Sequence, residues 1–194
     1  LQGRFESALQ QQDTVGEETS AANGARRGGF EPLMRAAARI LRADAGPNVA
    51  AMEFSGWDTH ANQGVAGGAL DRLLGLLADG LLAFRTDMGP AWSTTTVVVM
   101  TEFGRTARPN GTRGTDHGTA GAAFVMSPLL GRSHVVADWP GLSAAALFEG
   151  RDLKPTLDTR ALLKGALAVT FDLTGAQLDR VFPDSSGIRA AIVG

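Results

Sequence analysis

The chain contains no cysteine. Disulfides and thiolate-bound metals are thereby excluded, and the redox compartment is left unread. No apolar run approaches the roughly 20 residues that cross a bilayer as a helix, so no transmembrane segment is expected. An excess of one charge is missing too. The 18 basic and 20 acidic residues are scattered and sum to a net charge of −2. A nucleic-acid partner would want a basic face and a membrane anchor a basic cluster, so neither is expected. There is no Gly-x-Ser-x-Gly elbow, and no side-chain nucleophile stands in its usual context. Internal repeats and low-complexity tracts are also absent. No signal peptide opens the chain, which begins at Leu1. It reads as a processed chain or a fragment of a longer protein.

What is present suits one α/β domain over residues 1–194, with 44% hydrophobic residues to build its core. Residues 1–12 read as a helix end. The polar stretch 10–29 reads as a flexible surface loop, with Arg26 and Arg27 near its end. Helical spacing of Leu33, Ala37, Ile40 and Leu41 predicts a helix from Phe30 to Ala45, stopped by Gly46-Pro47. A second, longer helix is predicted from Ala69 to Met88 on the stripe Leu70, Leu73, Leu74, Leu77, Leu81 and Phe84. Buried strands are expected at Val49–Phe54, at 94–101 and at 122–126, with a short further one at 133–137. The first two flank the long helix, so they are expected to be parallel, joined by a right-handed crossover. His134 reads as a surface or strand-edge histidine. Asp158 is expected to cap a helix reaching Phe171, and 174–181 to add another turn or two.

Chemistry gathers where these strands end. Val49–Phe54 runs into Asp58 and His60; the 94–101 strand runs into Glu102 and Arg105; the next loop carries Asp116 and His117. Two of the three histidines therefore sit in these loops. In an open parallel sheet such ends share one edge, where ligands bind. Three carboxylates and two imidazoles suit a divalent cation, Zn or Mn foremost. Asp58, His60, Glu102, Asp116 and His117 are the candidate ligands. A metal there would polarise a phosphoryl or sulfuryl oxygen or activate a water. Arg105 and Arg113 would clamp a small anionic ester. Each residue also has a plain structural role open to it: Asp116 and His117 as loop caps, Glu102 as the ion-pair partner of Arg105.

The stretches Phe54–His60 (FSGWDTH), Thr101–Thr106 (TEFGRT) and Gly114–Gly118 (GTDHG), with Phe124-Val125 after them, resemble the signature blocks of the DUF1501 family. The resemblance covers residues 45–182, including Asp158-x-Arg160 and the ending Val181-Phe182-Pro183. These are bacterial proteins placed in the alkaline phosphatase/sulfatase-like superfamily. The resemblance implies a three-layer α/β/α sandwich with a mostly parallel sheet, of which this chain is a C-terminal part. It implies metal ligands at the strand ends and a metal-dependent hydrolase acting on phosphate or sulfate esters, with Glu102 and Arg105 among the catalytic groups. Asp58 and His60 resemble the superfamily's first ligand group. Glu102 stands where an Asp-His pair is expected, with Phe103 in place of the histidine, and His117 resembles a later histidine. Alternatively Asp116-His117 is itself the pair. Both alignments depart from the two-metal pattern. The resemblance also implies export to the periplasm, and the uncovered edges of a partial domain imply self-association. The other readings are a non-catalytic exported binding or assembly domain, and a carbohydrate-binding surface using Trp57, Trp92 and Trp139.

Overall fold

The computed structural model describes residues 29–133 and 135–191. The helix end expected over 1–12, Arg26 and Arg27, all but the last residue of the loop 10–29, and His134 lie outside them. No helix among the described residues is long and apolar enough to cross a membrane. The described residues fall into two compact units, 29–58 with 65–89, and 59–64 with 90–191.

The first unit is a helix pair. Helix α1 spans Phe30–Leu41 and buries Phe30, Met34, Ala37 and Ala38. It ends four residues earlier than its apolar spacing predicts. The Arg42 amide closes back on Ala38 O, and single turns at Ala43 and Gly46 then lead the chain away before Pro47. Helix α2 spans Ala69–Met88 and buries Leu77, Gly80, Ala83, Phe84 and Met88. Gly80 marks its close approach to α1, because a Cβ there would strike the Phe30 ring and Met34. Leu74 is 43% exposed, so the buried stripe runs through Leu77 and Gly80 instead. Arg35 bridges Glu31 and Asp87 at 2.8 and 2.7 Å, a solvent-screened pairing at 40% side-chain exposure.

Val49–Phe54 forms no strand. Strand structure needs a neighbour to complete its ladder, and this run has none among the described residues. Its end is held by side chains: Phe54 stacks on Phe30 with ring centroids 4.4 Å apart and meets Trp57 edge-on at 5.4 Å.

The second unit holds the strands. A 3-10 turn over Gly89–Thr94 leads into β1, Val97–Val99. Strand β2 is Gly104–Arg105, β3 is His117–Gly118 and β4 is Phe124–Met126. They form two antiparallel pairs, β1 with β4 and β2 with β3. The β-branched run at 97–99 is thus a strand, but its partner is the later run 124–126, in the register Val97↔Met126. A line of hydroxyls pins this pair: Thr170 donates to Thr96, Thr96 to Ser127, and Ser127 to Thr95 O. Residues 135–137 form no strand.

Helix α3 spans Thr159–Phe171 and α4 spans Gly175–Val181. Thr174 and Gln177 make a reciprocal capping box on α4. Leu147, Ala161, Leu162, Ala166 and Leu178 supply the apolar core of this unit. Asp158 caps α3 by accepting from the Arg160 amide at 2.8 Å, and its carboxyl also takes the Arg160 guanidinium. The guanidinium first, and the amide second, hold the carboxyl down at about 2 against an ordinary 3.8. A lowered folded value means that the stabilisation is present above the ordinary value and lost as pH falls through the folded one. Asp158→Ala is therefore expected to cost about 1 kcal/mol at neutral pH. In thermal melts the gap from the parent chain should close as pH drops from about 4 to about 2.

Candidate functional site

Two loops of the second unit lie backbone to backbone. Thr115 N donates to Thr59 O at 3.3 Å, Asn62 N to Thr112 O at 3.0 Å and Gln63 N to Arg113 O at 3.1 Å. Gly114 sits at their closest approach, where any Cβ would overlap the His60 carbonyl. Asn62 and Arg113 both adopt left-handed backbone, with φ of 51° and 62°. Asparagine tolerates this conformation, but in arginine it is strained, and such strain persists where the surrounding bonds over-determine it. Gln63 gathers the hydroxyls of Thr59 and Thr115 on its side-chain oxygen, at 2.9 and 2.7 Å.

The β2–β3 pair supplies the third side. Arg105 lies opposite His117, and Thr106 N donates to Asp116 O at 3.0 Å. Asp116 and His117 are thereby brought to the 59–63 loop. His60 Nδ1 lies 3.1 Å from Asp116 Oδ1, and the two imidazole rings are 4.8 Å apart between centroids. Asp58 precedes His60 by two residues in the same loop. One ligand atom from each of Asp58, His60 and His117 lies within 4.8 Å of the others. Phe103 stacks on His117 at 4.3 Å and 10°, and the Arg105 guanidinium lies 4.7 Å from the centre of the Phe103 ring.

Of the five expected ligands, three fall into this one group. Asp116 touches it through His60 instead, and its carboxyl is held below the usual range, first by the Asn110 amide and then by His60. Glu102 is exposed in the loop before β2 and lies outside the group. Arg105 donates to Thr115 O at 2.8 Å, and Arg113 donates to Asn62 at 2.8 Å, so both of these guanidinium groups also brace the loops. Trp57 and Trp92 are half-buried, whereas Trp139 is 63% exposed.

Two features escape a reading of the sequence. Asn110 reads as ordinary Asn-Gly turn chemistry, yet its side chain bonds to both loops of the site. Its Nδ2 donates to Asp116 Oδ1 at 2.8 Å and to His60 O at 2.9 Å, while its Oδ1 accepts from the amides of Thr112 and Gly114 at 3.0 Å each. The available signal is Asn110-Gly111-Thr112 itself, since asparagine two residues before an amide makes an Asx turn. The other is Asp152, 4% exposed. It is held by Arg151 at 2.8 Å and by the Thr119 hydroxyl at 2.9 Å, and it bridges to Thr106. Burial alone would raise its carboxyl, but the bonds from Arg151 and Thr119 outweigh that and lower it. It braces the outer side of β2, and nothing in its own sequence context marks it.

The family model described as "Protein of unknown function (DUF1501)" matches residues 6–182, and the chain belongs to that family. No curated protein and no solved structure matches the chain.

Proposed function

We propose that this chain carries the metal-binding part of a hydrolase-type site that acts on phosphate or sulfate esters, in the manner of the alkaline phosphatase/sulfatase-like superfamily. The observation that carries the reading is the convergence of Asp58, His60 and His117 on one point. Two imidazoles and one carboxylate fit a divalent ion. Three protein ligands with one position left open is the arrangement of catalytic zinc sites, and the same donors accept Mn or Fe(II). When bound, such an ion supplies Lewis-acid polarisation of the ester oxygen and an activated water.

The chain's own residues do the rest. Asp116 orients His60 through Nδ1, the carboxylate–histidine arrangement that fixes a ligand ring. Phe103 holds the plane of the His117 ring by stacking. Arg105 places its guanidinium over the Phe103 ring. The donor set supports one metal rather than two, because Asp116 Oδ1 is taken by His60 and Asn110 and Glu102 stands apart. In this reading the chain is exported and forms part of an α/β/α sandwich.

The test is metal uptake followed by turnover. Purified chain, stripped and then dialysed against Zn, Mn or Fe(II), should retain about one equivalent by mass spectrometry of the metal. The loaded protein should then cleave 4-nitrophenyl phosphate or sulfate above the rate of the stripped protein. If no ion is retained, the reading fails in favour of a non-catalytic exported binding or assembly domain.

A further inference from the structure

Building on the metal-centre reading, we propose that Asn110 is a positioning residue whose side-chain amide fixes His60 as the tautomer protonated on Nδ1, leaving the Nε2 lone pair for a ligand. The partners of Asn110 allow only one orientation of its amide. The backbone N–H groups of Thr112 and Gly114 can only donate, so the atom facing them, 3.0 Å from each, is the oxygen. The opposite atom faces His60 O at 2.9 Å and Asp116 Oδ1 at 2.8 Å, both acceptors, so it is the NH₂ group. A flipped amide would set N–H against N–H on one side and oxygen against oxygen on the other, losing all four of these bonds.

The Asp116 carboxylate is an acceptor only, and the N–H from Asn110 holds its Oδ1 in place beside the His60 ring. His60 Nδ1 lies 3.1 Å from that same oxygen. Two acceptors do not bond, so Nδ1 must carry the hydrogen, and a neutral imidazole then keeps its lone pair on Nε2. Asn110 acts at both ends of His60. It ties the backbone carbonyl and, through Asp116, the ring. The Thr112 hydroxyl adds a second donor to the same carbonyl at 2.7 Å. Fifty positions separate Asn110 from His60, so the bonds span two loops rather than one turn.

Asn110→Asp tests this selectively. The aspartate keeps an oxygen for Thr112 N and Gly114 N, and so keeps the loop, but it replaces the donor with a second carboxylate oxygen facing Asp116. The readout is the ¹⁵N shifts of the His60 ring by long-range NMR, on the full chain without metal, at a pH where the imidazole is neutral. The parent chain should show the Nδ1–H form as the dominant species. Asn110→Asp should shift the population towards Nε2–H and lower Zn affinity by about 10–100-fold. Asn110→Ala, which removes both ends of the amide, should shift the ring likewise, so the outcome does not hang on one variant's folding. A parent chain with Nε2–H dominant, or variants that keep the parent's tautomer, would overturn the role of Asn110. Absence of Zn binding in the parent would instead overturn the metal reading, and the metal-free spectra would still decide the tautomer.

Discussion

Stripped and reloaded protein carrying His60→Ala or His117→Ala should retain less than about a tenth of the metal held by the parent chain. The expectation follows from ligand number. Asp58, His60 and His117 are the group whose donor atoms converge within 4.8 Å among the described residues, and deleting one leaves two. Loss of a residue that only orients a ligand costs about 10–100-fold in affinity, so loss of a ligand itself should cost more. Two further variants sharpen the result. Asp116→Asn keeps a side chain of the same shape but turns the partner of His60 Nδ1 from an anion into an amide, so it should weaken binding by about the 10–100-fold of an orienting residue. Glu102→Gln should leave the metal content unchanged, because Glu102 lies outside the converging group. Full metal retention by both histidine variants would place the ion elsewhere. Loss of metal in Glu102→Gln would return Glu102 to the ligand set that the order of strand ends suggests.

The second large effect concerns stability. Lys164→Ala should destabilise the second unit by about 1–3 kcal/mol, a fall in melting temperature of several degrees. The Lys164 side chain is 4% exposed, and its ammonium donates to Asp179 at 2.7 Å, Ser185 O at 2.6 Å and Ile188 O at 3.2 Å. An ammonium has three donors, and all three are used. The lysine thereby ties α3 to α4 and to the segment after it. Removing it takes the donor from Ile188 O and leaves Ser185 O only the Ile188 amide, and a buried unsatisfied group costs about 1–3 kcal/mol. Asp179 is 39% exposed and can turn to water, so Asp179→Asn should cost no more than about 1 kcal/mol. Thermal melts of the two variants side by side would check this. Equal small shifts would mean that Lys164 is no hub.

Elements governed by neighbours in sequence were legible before any coordinates. Helix α2 ends where Gly89-Pro90 must end it, and Asp158 caps α3 because an aspartate just ahead of an apolar helical run is placed to accept an orphan amide. The β-branched run at 97–99 is extended for an equally local reason. Family membership was carried by three short blocks, and Asp58, His60, Asp116 and His117 were placed in loops beside one another by glycine-rich turn chemistry.

What depended on distant residues was not legible. Val97–Val99 could not announce that Phe124–Met126 would be its partner, or that the pairing would be antiparallel. Val49–Phe54 has the composition of a strand but no ladder, because a strand is a property of two segments. Nothing around Lys164 in the sequence marks it, and only the folded chain brings Ser185 and Ile188 to its ammonium. Asn110 reads as a turn, and only the approach of the 59–63 loop makes it the partner of His60. By itself, then, the sequence determined which residue types stand at the ends of which segments, since helix caps, turns and extended runs are short-range. The tertiary structure decided which of those residues meet: that three of five candidate ligands converge, that Asp116 bonds one of them, and that Asn110 bonds both Asp116 and the His60 carbonyl, since each of these needs contacts between groups far apart in the chain.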